Sequence, residues 1–224
     1  MGPSVDGRIR RIVVNGMSVR YAEARKPKCA TRCNYCGEGD YWNRVWPSGI
    51  TLCKFLATRL GQSSRKWSDV VDVGCGTGIA ALALARLGAN VTFVDHIPQA
   101  LNIVEKNCLL NGIRTFRTVC ACWRDPGTRK SIGRFDMVIG ADILYDPRDV
   151  RLVGGLMRNI LKPGGFGILA DPGHVSSDKI LRELRRSVLN VDLRWISVSG
   201  RGPDEIRLIF VKQVRPSQGS VRLS

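Results

Sequence analysis

Two stretches of the chain hold residues whose types and spacing could do chemistry. In "VVDVGCGTGIAALALARLGANVTFVD" an apolar run ends at Asp72, and Gly74-Cys75-Gly76-Thr77-Gly78 opens a helical pattern. Asp95 follows 17 residues after Gly78. Glycines at a strand-to-helix turn allow a tight turn and close approach of the backbone to a ligand. An acidic residue closing the next strand can accept hydrogen bonds from ribose hydroxyls. The loop reads G-x-G-x-G, preceded by D-x, and not the G-x-G-x-x-G/A of dinucleotide binders. A nucleoside-bearing ligand at Gly74, Gly76 and Asp95 is the expectation. A nicotinamide ligand, or a glycine turn with no ligand, is the alternative.

The second stretch is "CATRCNYCGEGDYW", where Cys29, Cys33 and Cys36 stand at C-x3-C-x2-C spacing. Three thiolates so spaced can hold three irons of a [4Fe–4S] cluster, as in certain radical enzymes. In those enzymes the cluster loop follows the first strand of a partial barrel; here it precedes the glycine loop. The surroundings also lack the acid-ended Gly-Gly stretch of those enzymes. A closed zinc site needs four ligands, and no nearby histidine or fourth loop cysteine supplies one. The expectation is no metal: unligated thiols in a loop leading into the site entrance. The two histidines, His96 and His174, make no metal site, and His96 reads as pocket wall.

The elements that must position these residues can be read along the chain. "RIRRIVVNGMSVRYAEA" is a pair of β-prone runs joined by Asn15-Gly16, a tight type I′ hairpin. "WPSGITLCKFLATRLG" reads as a helix with Pro47 in its first turn and an apolar stripe of Ile50, Phe55, Leu56 and Leu60. Strand and helix patterns then alternate. "FRTVCACW", "RFDMVIGADILY" and "FGILAD" read as strands, "DVRLVGGLMRNIL" as a helix stopped by "KPGG", and "DKILRELRRSVL" as a helix. "DLRWISVS" and "EIRLIFVKQV" are alternating strands. The fold class expected is α/β: a Rossmann-like, seven-stranded, mostly parallel sheet with an antiparallel C-terminal strand pair. Helices cover both faces, and an N-terminal β-hairpin extends it. The expected units are 1–45 (hairpin and cysteine loop), 46–214 (catalytic domain) and 215–224 (flexible tail).

At 224 residues with 44% hydrophobic content, the chain can bury one sizeable core. No apolar run reaches the 18 or so residues of a membrane span, and the N-terminus lacks a secretory apolar region. A cytoplasmic protein with reduced thiols is expected, an organellar address being the alternative. Net charge is +16. Residues 1–69 carry 13 basic and 5 acidic side chains, 70–171 carry 12 and 9, and 172–224 carry 10 and 5. The basic flanks favour an acidic partner, a protein surface or nucleic acid.

The D-x-G-x-G-x-G loop with Asp95 resembles motif I of class I S-adenosylmethionine-dependent methyltransferases, and "LKPGG" resembles another habit of that class. Three further segments, "GDYWNRVWPSGITL", "GADILYD" and "LADPGH", resemble the seven-β-strand protein lysine methyltransferases with a D/E-x-x-Y/F motif after the fourth strand. "DPG" and "YW…WP" look most like the branch that methylates the β subunit of electron transfer flavoprotein, also labelled nicotinamide-methylase-like. The resemblance runs roughly from Gly39 to Val188. It implies S-adenosyl-L-methionine as cofactor, with contacts from Trp46, Gly74, Gly76, Asp95, Trp123 and Ala141. It implies that Asp142 and Tyr145 face an incoming lysine amine. His174 departs from the arginine that often follows "DPG" in that branch.

The expected function is therefore methyl transfer to nitrogen, on a lysine side chain of a protein partner with an acidic surface, by a monomer that touches no membrane. A small-molecule N-methyltransferase and a nucleic-acid methyltransferase are the rival enzymes. Against the second, "DILY" lacks the prolines of the Asn/Asp-Pro-Pro-aromatic motif. A binding module without catalysis is the non-enzymatic rival, against which the intact glycine loop, Asp95 and "DILY" count.

Overall fold

A computed structural model of the chain describes residues 9–23, 40–60, 68–125, 127, 132–187, 189–197 and 205–213. The loop with Cys29, Cys33 and Cys36 and the tail 215–224 lie outside the described residues. The hairpin is β1 (Arg10–Val14) and β2 (Met17–Tyr21), and α1 (Pro47–Leu60) follows. Then come β3 (Asp69–Val73), α2 (Ile79–Arg86), β4 (Asn90–Asp95), α3 (Pro98–Leu110) and β5 (Arg117–Cys120). The rest is β6 (Phe135–Ala141), α4 (Pro147–Ile160), β7 (Leu161–Asp171), α5 (Ser177–Arg186), β8 (Leu189–Ser197) and β9 (Glu205–Gln213).

The main sheet has the order β5-β4-β3-β6-β7-β9-β8. Strands β5 to β7 pair in parallel. Strand β9 is antiparallel to both β7 and β8. The expected class holds, with one refinement: β9 alone runs against the sheet, and β8 returns to the common direction. The strand order reverses between β3 and β6, which opens a crevice at their carboxyl ends. Both strands are near-continuous apolar runs because helices cover both faces.

Three local readings are corrected. "KPGG" does not stop α4 before a strand; β7 begins at Leu161 and runs through it. Leu161 pairs with Phe135 and Phe166 with Met137, so Pro163, Gly164 and Gly165 sit in an irregularity of the ladder. Proline has no N–H for a ladder bond, so it is housed where the register shifts. Lys162 reaches Asp69 at 2.5 Å and Asp136 at 3.3 Å, tying together the starts of β3, β6 and β7. Second, "FRTVCACW" is a strand only through Cys120. Third, the face of α1 that packs on the sheet centres on Leu52, Cys53 and Leu56 rather than on Ile50 and Phe55.

The hairpin turns as Asn-Gly dictates, with φ of 49° at Asn15 and 77° at Gly16. Val19 and Tyr21 enter the same core as Leu52, Ile79 and Val104. Asn107 of α3 fastens it: its Oδ1 accepts from Ala22 N at 2.7 Å, and its Nδ2 donates to Ala22 O at 3.2 Å and to Thr77 O at 2.8 Å. One buried amide thus joins the hairpin, α3 and the glycine loop.

On the other flank Arg207 of β9 is buried with its guanidinium on Asp171 (3.2 Å), Val175 O (2.8 Å) and Ser177 Oγ (2.9 Å). It holds the loop between β7 and α5. Removing one partner of a buried ion pair leaves a buried charge uncompensated. Arg207→Ala is therefore expected to lower unfolding free energy by about 3–5 kcal/mol, read as a lower midpoint in chemical denaturation.

Candidate active site

The glycine loop is shaped by β4. Gly74 N and Cys75 N both donate to Val94 O, at 2.8 and 3.0 Å, and Gly78 N closes a turn onto Cys75 O at 2.7 Å. Gly74 and Gly76 take φ of 65° and 51°, a region that side chains with a Cβ rarely enter. Space forbids a side chain as well. A Cβ on Gly74 would lie 2.7 Å from Ile143 Cγ2, and one on Gly76 would lie 3.3 Å from Trp42 O.

Asp95 ends β4 beside this loop. Its Oδ2 accepts from Gly76 N at 2.9 Å and its Oδ1 from Ile97 N at 3.0 Å. Burial raises its pKa, while His96 and the backbone donors pull it down. Each oxygen keeps a further lone pair for a hydroxyl donor. Asp72, two residues before Gly74, is buried with Oδ2 lacking a hydrogen-bond partner among the described residues. Burial first, and then the charge of Asp95, push its pKa well above the usual carboxylate range. A buried acceptor without a donor is costly, and a cationic ligand group would satisfy it.

Asp142 follows β6. Its N–H donates to Ala170 O at 2.9 Å, then the chain turns at φ 55°. That left-handed turn, tolerated by aspartate better than by most residues, sets the carboxylate into the crevice. Asp142 Oδ2 is buried without a partner among the described residues, and so is Ser48 Oγ of α1. Ser48 nevertheless lies close enough to Asp142 to draw its pKa down. Burial pushes the Asp142 pKa up to about 6; Ser48 and His174 draw it down and Asp171 pushes it up. His174 Nε2 lies 3.8 Å from Asp142 Oδ1.

Aromatic side chains line the same pocket as Asp142. Tyr41, Trp46 and Tyr145 are exposed, with the Tyr41 ring 6.1 Å from Trp46 and 6.5 Å from Tyr145. Trp46 Nε1 donates to Tyr41 O at 2.9 Å. Trp123 is different in kind. It is buried, its Nε1 donates to Asp149 Oδ1 at 3.1 Å, and Arg124 grips the same carboxylate at 2.8 Å. Its ring lies against Gly74, so it supports the glycine loop as well as lining the cavity.

All eight residues singled out in the sequence line one pocket: Trp46, Gly74, Gly76, Asp95, Trp123, Ala141, Asp142 and Tyr145. Tyr41, Trp42, Arg44 and Thr77 line it too and were not singled out. Asp72 was legible only as the first letter of the motif. Ser48 carried no signal, since it meets Asp142 across 94 positions of sequence. Among the described residues no group of three or more His, Cys, Asp and Glu is placed to hold a metal ion.

The sequence profile of a family described as lysine methyltransferase matches residues 33–170. The chain belongs to this family. The relatives it resembles include mouse EEF1A lysine methyltransferase 3, 31% identical over 57% of this chain and 54% of the relative. Another is the electron transfer flavoprotein beta subunit lysine methyltransferase of Xenopus laevis, 30% identical over 66% and 59%. A third is the protein N-lysine methyltransferase METTL21A of Danio rerio, 32% identical over 45% and 47%. The flavoprotein branch indicated by "DPG" is thus represented beside elongation-factor enzymes. The chain spans about half the length of the curated relatives it matches. Among solved structures, the Thermus thermophilus 16S rRNA N2 G1207 methyltransferase aligns with TM-score 0.66 and 17% identity, over 95% of this chain and 52% of that one. The Synechocystis magnesium protoporphyrin IX methyltransferase aligns with TM-score 0.60 and 16% identity, over 74% and 83%. These likenesses show the methyltransferase fold.

Proposed function

We propose that this chain is an S-adenosylmethionine-dependent protein-lysine N-methyltransferase. The observation that carries the reading is Asp142: a mostly buried carboxylate whose Oδ2 lacks a hydrogen-bond partner among the described residues, in the same pocket as the glycine loop and Asp95, in a chain of this family. Asp95 would take the ribose hydroxyls, Gly74 and Gly76 the methionine part, and Trp123 the adenine. Trp46 and Ala141 would complete the wall. Asp72 is placed for the cofactor's ammonium. When bound, the cofactor supplies a methyl group on a sulfonium already primed to leave. The residues therefore have to align the nucleophile for an in-line attack.

A lysine ammonium, pKa about 10.4, has no lone pair. The aromatic mouth of Tyr41, Trp46 and Tyr145 removes water from the incoming chain, and desolvation favours the neutral amine. Asp142 and Tyr145 hold and aim the nitrogen by hydrogen bonds. Asp142 also favours the cation, so its first role is binding and orientation, with general-base work secondary. The exposed aromatic rim suits a side chain reaching in from a protein. The basic flanks suit a substrate with an acidic surface. The reading further takes the protein to act as a monomer in the cytoplasm. Among the described residues the buried Cys53, Cys75 and Cys108 stand as free thiols, which suits a reducing compartment. Among the described residues no helix is long and apolar enough to cross a membrane.

Incubation with methyl-labelled cofactor and a cell extract is expected to label lysine in a discrete protein. Label confined to nucleic acid or to small molecules would overturn the reading. A pH dependence follows from Asp142. Its protonation below about pH 6 removes the charge that holds the ammonium. The log of kcat/KM against pH is therefore expected to steepen below that point, beyond the slope set by losing the lysine proton. A pH series with the labelled acceptor measures it.

A further inference from the structure

We propose that His174 is a positioning residue for this site: docked on Asp142 by the loop after β7, it supplies the positive charge that Asp142 finds nowhere else among its buried neighbours. The inference deepens the lysine methyltransferase reading and rests on it. Nothing in that reading uses His174, and the glycine-loop and D-x-x-Y motifs do not contain it.

The geometry begins with what surrounds the carboxylate. From α1 comes Ser48, a neutral hydroxyl that draws the Asp142 pKa down. From the end of β7 comes Asp171, an anion. Arg44 and Tyr145 line the same pocket. His174 Nε2 stands 3.8 Å from Asp142 Oδ1 and is the one cation-forming group in ion-pair range of Asp142 among the described residues. The Asp142 side chain is 15% exposed and the imidazole 50%, so His174 spans from the carboxylate to solvent.

The loop that carries it is built rather than loose. Asp171 Oδ1 accepts from Gly173 N at 2.8 Å and from the buried Arg207 at 3.2 Å. Arg207 also holds Val175 O on the far side of His174, at 2.8 Å. His174 is thus clamped between two anchored residues. The same clamp pairs Asp171 with Arg207, yet the Asp171 charge still pushes the Asp142 pKa up. A distance of 3.8 Å is an ion-pair contact and not a hydrogen bond. Contacts of this kind often tighten when substrate closes a site.

The consequence is electrostatic. A buried carboxylate with no cation nearby takes up a proton, and a protonated Asp142 cannot hold an ammonium. An imidazolium beside it opposes that, in the acid range where imidazole is charged. His174 therefore sets how far into acid the site works. Burial and Asp171, which push the Asp142 pKa up, and Ser48, which draws it down, set the rest of its titration.

The test compares the full chain with His174→Gln and His174→Arg. Two readouts are taken: the acid break of kcat/KM on the labelled lysine acceptor, and the Asp142 carboxyl titration followed by carbon NMR without substrate. In H174Q both are expected to move alkaline by about one pH unit, the low end for a charge at this range. At pH below the break this is an approximately tenfold loss of kcat/KM, with little change at high pH. In H174R, whose charge does not titrate, both are expected to return to the wild-type position or to lie acid of it. Curves in H174Q that overlay the wild type overturn the inference while leaving the enzyme's function intact. A uniform loss at every pH that H174R does not restore also overturns it, because it marks a structural role only. A wild-type chain that labels no lysine removes the function reading and with it this role, whatever the NMR titration shows.

Discussion

Asp142→Ala is expected to lower kcat/KM for methyl transfer to lysine by at least about 100-fold while cofactor affinity stays near wild type. The size follows from what the carboxylate is asked to do. In the proposed function it aims the nitrogen along the methyl–sulfur axis, and misplacement by about 1 Å costs on the order of 100-fold. The selectivity follows from its place in the fold. Asp142 lies beyond the end of β6, away from Asp95 and the glycine loop, so the ribose and methionine contacts proposed for those residues do not depend on it. Stability is pulled both ways: alanine tolerates φ 55° less well than aspartate, while the substitution removes a buried oxygen that lacks a partner among the described residues, so thermal melting accompanies the kinetics. Calorimetry with the cofactor and labelled-methyl kinetics check the two halves. Full activity in the mutant would sink the assignment of Asp142, and loss of cofactor binding would place it on the wrong ligand.

Asp95→Ala is expected to have the converse signature: cofactor affinity weaker by about 100-fold or more, with the acceptor site intact. Two hydrogen bonds from ribose hydroxyls to a charged acceptor contribute about 1.5–3 kcal/mol each, and every 1.4 kcal/mol or so is tenfold in affinity. A second loss adds to this. Asp95 also accepts from Gly76 N and Ile97 N, so the mutation frees two backbone donors and slackens the glycine loop. Asp95→Asn should be milder, because an amide oxygen still accepts one of these bonds. Titration calorimetry decides, with thermal melting to show that the fold survives. A change smaller than about threefold would move the ribose contact away from Asp95.

How much of this was legible beforehand varied by element. The hairpin turn was, because Asn15-Gly16 is a local code for positive φ. The β3–loop–α2 unit was, because the glycines and the acid two residues before them act within one turn of chain. Strand order was implied by alternation and the rule that parallel crossovers share one hand. The start of β7 was misread because "KPGG" looks like a stop, whereas the ladder absorbs it as a register shift opposite Phe135. The inward face of α1 was misread because both of its flanks are apolar, and only the sheet decides which is buried.

The sequence by itself determined the family, the fold class and eight of the residues that line the pocket. Each of these rests on short-range spacing, on alternating periodicity, or on motifs quoted from a few adjacent positions. The tertiary structure alone decided the electrostatics. Ser48, Asp171 and His174 surround Asp142 from three separate elements, and Arg207 clamps the loop from a fourth. Asn107 ties the hairpin to the glycine loop across 85 and 30 positions of chain. A carboxylate's pKa depends on burial and on charges within a few ångströms. Those distances are set by packing between distant segments, which spacing along a chain does not encode.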